Sequence, residues 1–140
     1  MTTNLLEKGL ISRARAVRRH AYSPYSEFSV GAALLAASGR VYTGVNTECA
    51  SFGGTLCAER AALAAAVSAG ERRFEMLAVA GGDRPFTPCG ICRQVLSEFL
   101  EDGEDLVVIC AAAEGEDWLE TTLRALLPAD FGAKDLQKVK

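Results

Sequence analysis

At 140 residues the chain is long enough to bury one core and short for two, which predicts a single domain spanning residues 1–140. With 49% hydrophobic and 24% charged residues it has the make-up of a folded globular protein, which excludes disordered and fibrous classes. A net charge of −3 argues against nucleic acid as a partner, and apolar runs such as "AALLAA" are too short to cross a bilayer.

Asn4 followed by Glu7 has the form of an N-cap and capping box. Leu6, Leu10, Ala14 and Val17 then recur at helical spacing, predicting a first helix to about His20. Pro24 and small polar residues in "AYSPYSEF" break it. Two β-like runs, "FSVGAALLA" and "RVYTGVN", are separated by the turn residues Ser38 and Gly39 and predict a hairpin. From Cys57 the alanine-rich segment reads as a helix as far as Gly70, a C-terminal cap. A strand "MLAVAG", a loop from Asp83 to Thr87 and a helix from near Pro88 to before Gly103 follow. "DLVVICAA" and a shorter run around Trp118 read as strands, and "TLRALL" as a last helix closed by Pro128. Strands and helices alternate in the second half, which predicts parallel pairing with right-handed crossovers there. The first hairpin makes the expected α/β sheet a mixed one, with about five strands.

Glu7 and Lys8 fall where a signal peptide would need an apolar segment, so a cytoplasmic location is expected, in which thiols stay reduced. Five cysteines are an odd count, which in that compartment points to metal binding or catalysis rather than a disulfide framework. Cys110 lies in the apolar run "LVVICAA" and reads as a buried strand residue. Cys89 and Cys92 form a C-x-x-C pair at a predicted helix start, and Cys57 opens the preceding helix in the same way. Pro88 suits such a start, because its missing N–H would have no helical partner in the first turn. Helix N-termini favour thiolate, so two of them can aim three thiolates at one zinc ion per chain. His20, the only histidine, reads as a helix-end surface residue rather than a fourth ligand. Structural zinc sites are closed by four protein ligands, whereas three leave an open, reactive position. Glu59, two residues from Cys57, can reach a water on such an ion without ligating the metal and carry its proton. Arg60 can offset the negative charge of three thiolates, and Arg93 can share that role; a surface salt bridge is the plainer reading of Arg60.

C-x-E, a gap of 29 residues from Glu59 to Cys89, and P-C-x-x-C fit the zinc deaminase signature, with cysteine in place of the usual histidine. The segments "SPYSEFSVGAALL", "NTE", "CAER", "PCGICRQVLSEF" and "LLPADFGAKDL" together resemble the small, homotetrameric cytidine deaminases over nearly the whole chain. The resemblance implies a three-layer α/β/α sandwich and hydrolytic deamination of cytidine and deoxycytidine to the uracil nucleosides, a step of pyrimidine salvage. It assigns zinc to Cys57, Cys89 and Cys92 and the proton shuttle to Glu59. It also implies that Phe28 packs on the pyrimidine ring, that Asn46 and Glu48 bond the ribose, and that the Ala58 backbone contacts the amino group. Sites in that family sit at subunit contacts, so Phe52 and Phe131 are expected to reach a neighbour's nucleoside. The chain departs from the usual "NxENAxY" with "NTECASF": Cys49 replaces an asparagine and Phe52 a tyrosine, which removes hydrogen-bonding capacity near the sugar. Gly53 and Gly54 resemble blasticidin-type deaminases, which act on a modified cytosine nucleoside, and that activity stands as the alternative. A structural zinc knot in a binding module lacks its fourth ligand, and a polynucleotide-editing deaminase is disfavoured by the acidic balance and by "NTE".

Overall fold

The computed structural model describes residues 2–137, and the side chains of residues 5–136. In chain order the elements are α1 (Thr2–Val17), β1 (Val30–Ala36), β2 (Val41–Val45), α2 (Ala58–Ser68), β3 (Phe74–Gly81), α3 (Gly90–Ser97), β4 (Val107–Ala111), β5 (Trp118–Thr122), α4 (Leu123–Leu126) and α5 (Ala133–Gln137). The strands form one sheet in the order β2-β1-β3-β4-β5. β1 pairs antiparallel with both β2 and β3, β3 pairs parallel with β4, and β4 pairs antiparallel with β5.

The expected hairpin and mixed five-stranded sheet are present. Four details differ from the sequence reading. α1 begins at Thr2, so Asn4 lies within the helix rather than capping it, and its side chain is outside the described residues. Parallel pairing in the second half is confined to β3 and β4. The six residues 112–117 between β4 and β5 can close a hairpin but cannot return over the sheet to start a parallel strand. Pro88 lies ahead of the helix cap at Cys89, not in the first turn. "TLRALL" is followed by α5, where the Asp135 carboxylate accepts the Gly132 N–H at 2.9 Å and starts a further short helix.

Every residue of β1 is buried, because both sheet faces are covered there. On one face Leu10, Ile11 and Ala14 of α1 pack against Ala33, Leu35, Met76, Ala78 and Ile109. On the other, Ala62, Leu63 and Ala66 of α2, Leu96 of α3 and Leu123 of α4 pack against Leu34, Leu77, Val79 and Val108. The result is three layers, helix over sheet over helix. Glycine permits the closest approach of α2 to the sheet: a Cβ on Gly44 would lie 2.4 Å from the Ala62 nitrogen and 2.6 Å from the Ala58 carbonyl oxygen. α2 ends in a Schellman motif, with Gly70 at φ +100°, its N–H on the Val67 carbonyl and the Glu71 N–H on that of Ala66. Cys110 is fully buried in β4, as expected, and burial pushes its thiol up to about 12.

Candidate active site

Two helix starts make the site. Cys57 is the N-cap of α2 and Cys89 that of α3, both in extended backbone, while Cys92 lies in the first turn of α3 and is fully buried. The three sulfurs lie within 4.8 Å of one another, and Cys57 Sγ is 3.9 Å from Cys89 Sγ. Among the described residues this is the one group of three or more potential ligands that could hold a metal ion. The hydrogen bond from Cys92, with further bonds from Arg60 and Cys89, draws the Cys57 thiol down to about 5. The proton it lends to Cys57, together with burial, raises Cys92.

Arg60 folds back over the start of its own helix. Its Nη2 donates to Cys57 Sγ at 3.5 Å and to the Thr55 carbonyl at 3.4 Å, and the thiolate bond holds the guanidinium above its usual range. Its Nε is buried with no acceptor among the described residues. A cation spent on one protein oxygen and aimed at sulfur is what a site of three thiolates needs. The donor set and its charge therefore fit a bound zinc ion. Arg93 does not share the role expected of it. Its three side-chain hydrogen bonds all go to oxygen, on Pro88, Thr87 and Leu126.

Glu59 is 3% exposed. Burial, reinforced by the charge of Cys57, pushes its carboxyl up to about 7, where it can both hold and release a proton near neutral pH. Ala58, the first residue of α2, is fully buried beside it.

Asn46 and Glu48 converge on one loop. The Asn46 side chain accepts the Val30 N–H at 2.9 Å and donates to the Phe28 carbonyl at 2.8 Å. Glu48 accepts the N–H groups of Tyr25 and Ser26 at 3.0 and 3.1 Å and the Ser26 hydroxyl, whose bond holds the carboxyl below its ordinary range. Both side chains thus fix the segment that carries Phe28. That ring rests on Gly82, where a Cβ would come within 2.8 Å, and meets Phe86 edge-on at 5.3 Å. Phe52 is exposed and edge-on to Tyr25 at 6.0 Å; Phe131 is exposed, with its carbonyl held by Gln94 Nε2 at 2.8 Å. The Cys49 thiol folds back on the Ser51 carbonyl at 2.7 Å. Sequence reasoning missed Ser26, Tyr25 and Phe86, because each meets its partner across more than twenty residues and no local pattern marks it. His20 is exposed at the end of the first helical segment, as expected.

A three-layer fold with three thiols at two helix starts and a buried carboxyl defines a zinc-dependent hydrolase site. Residues 6–110 match the family described as "Cytidine and deoxycytidylate deaminase zinc-binding region", and the chain belongs to that family. It is 44% identical to a cytidine deaminase of Sporosarcina psychrophila over 91% of this chain and 92% of that one. It is 47% identical to one of Halalkalibacterium halodurans over 91% and 95%. The crystal structure of cytidine deaminase from Burkholderia pseudomallei superposes with a TM-score of 0.82 at 44% identity, covering 89% of this chain and 98% of that one. These likenesses do not favour the antibiotic-nucleoside alternative.

Proposed function

We infer that the protein catalyses the zinc-dependent hydrolytic deamination of cytidine and deoxycytidine, releasing ammonia and the uracil nucleoside. The observation that carries this reading is the meeting of Cys57, Cys89 and Cys92 at two helix starts beside a buried carboxyl that titrates near neutrality. We assign the whole chain, residues 1–140, to one deaminase domain.

Cys57, Cys89 and Cys92 would hold a zinc ion, which would supply Lewis-acid activation of the attacking water. Glu59 takes one proton from the attacking water and delivers it to N3 of the cytosine, where the uracil product keeps it, and then moves the second proton, from the hydroxyl added at C4, to the departing amino group. Its burial suits it to all three tasks, because neither protonation state is strongly favoured at neutral pH. Arg60 offsets the thiolate charge. The Ala58 backbone, at the start of α2, receives the amino group, and Phe28 lies against the pyrimidine. Asn46 and Glu48 read the ribose from the remaining hydrogen-bonding capacity of groups that also fix the Tyr25–Val30 loop.

We assign the protein to a homotetramer in which Phe52 and Phe131 reach a neighbour's nucleoside. The exposed apolar side chains Tyr25, Phe52, Ile91, Val95, Phe131 and Leu136 support an assembly of copies. No described helix is long and apolar enough to cross a membrane. We assign the protein to the cytoplasm, where its thiols stay reduced. The test is ammonia release from cytidine, deoxycytidine and blasticidin S, with zinc content measured in parallel. Turnover of both natural nucleosides by zinc-loaded protein is expected, and efficient turnover of the antibiotic alone would overturn the reading.

A further inference from the structure

Arg93 immediately follows Cys92, yet its side chain turns away from the sulfurs. Nε donates to the Pro88 carbonyl at 2.6 Å, Nη2 to the Thr87 hydroxyl at 2.8 Å and Nη1 to the Leu126 carbonyl at 2.8 Å. Its backbone N–H donates to the Cys89 carbonyl at 3.0 Å and closes the first turn of α3. One residue thus grips Thr87, Pro88 and Cys89 through side chain and main chain together. Bonds from a charged donor are short and strong, and the planar guanidinium fixes their directions as a lysine could not. The third bond reaches the end of α4. The neighbouring Gln94 holds the Phe131 carbonyl at 2.8 Å, so α3 grips both ends of the stretch between Leu126 and Phe131, where Ala129 takes φ +53°.

We propose that Arg93 is a positioning residue for the thiol cluster: it fixes Cys89 at the start of α3 and joins it to the end of α4, so that retention of the metal depends on a side chain that touches neither sulfur nor substrate. The inference rests on the proposed zinc-dependent function. Pro88 is itself fully buried, so what loss of the clamp releases is the Thr87 hydroxyl and the Pro88 carbonyl that leads directly into the N-cap Cys89. Cys89 is the exposed member of the three thiols.

The experiment follows transfer of zinc from the holoprotein to an excess of chelator. Arg93→Gln is expected to lose zinc about 10-fold faster than the parent, with Arg93→Lys between the two. Thr87→Val, which removes one acceptor and leaves the charge in place, is expected to lose it about 2–5-fold faster, one hydrogen bond's worth. Unfolding midpoints with and without zinc separate positioning from general support: Arg93→Gln should lower that of the loaded protein by more than that of the chelated protein, whereas a merely structural role lowers both equally. Parental zinc release in both Arg93→Gln and Thr87→Val, or equal losses of stability with and without zinc, would overturn the proposal. If the parent holds zinc and deaminates cytidine while these variants release metal at its rate, only this inference fails; a parent without zinc overturns both.

Discussion

Glu59, the proposed proton carrier, is buried one residue inside α2 and raised to about 7 by that burial. Glu59→Gln keeps its volume and position but cannot carry a proton. Zinc content is expected to stay at the parental level while cytidine turnover falls by ~10²–10⁴-fold, the usual contribution of a positioned acid or base. Metal analysis beside ammonia release checks this, and near-parental turnover by a zinc-loaded variant would remove Glu59 from the reaction. Phe52 tests the opposite property, selectivity without chemistry. Phe52→Tyr adds one hydroxyl to a ring that is 71% exposed. It is expected to shift kcat/KM for cytidine by about 0.5–1.5 kcal/mol and to leave zinc content alone. A loss of zinc would mean that this segment supports the metal rather than the sugar.

Elements place these residues, and two contacts between elements are open to test. Gly44 of β2 lets the backbone of α2 lie against the sheet. Gly44→Ala would set a Cβ against backbone atoms that cannot turn aside, so α2 must shift and Cys57 with it. A stability loss of about 1–3 kcal/mol by denaturant unfolding, with faster release of zinc, is expected. Gly9→Ala, where nothing lies within 4 Å in the middle of α1, is the control and should be neutral or stabilising. Between α1 and β5, Glu7 is buried and its hydrogen bond with Glu120, then burial, raise its carboxyl above 4.5. The folded chain therefore keeps this proton to higher pH than the unfolded chain. The resulting stability is complete below pH 4.5 and is lost as pH rises through the raised value. Glu120→Gln removes the like charge, so the stability curve should flatten across the weakly acidic range. Urea unfolding at acidic and neutral pH reads this, and an unchanged slope would show that Glu120 does not raise Glu7.

At the scale of the whole molecule the metal would tie two otherwise separate helix starts. Cys89→Ala should lose zinc and bring the thermal midpoint of the protein down to that of the chelated parent, because a ligand bound only by the folded state adds its binding energy to stability. Full zinc occupancy in that variant would take Cys89 out of the ligand set. The thiol cluster was legible in the sequence because ligand spacing at a helix start is a local property: Cys57, Glu59, Cys89 and Cys92 announce themselves within a few residues. The hairpin and the core strands were legible for the same reason, through alternation and turn residues. The partners of charged side chains were not. Arg93 reads as a second counter-charge from its place beside Cys92, but its side chain bonds to three oxygens, one of them on Leu126, 33 residues away. The resemblance assigns Asn46 and Glu48 to the sugar, and folding gives both of them the loop of residues 25–30 to hold. Sequence by itself determined most of the elements, the layered α/β sheet and the thiol cluster, since these follow from short-range periodicity and spacing. Tertiary structure alone decided the antiparallel last strand, the acceptors of Arg93 and the burial that raises Glu59, since each depends on which distant groups the packed chain brings within reach.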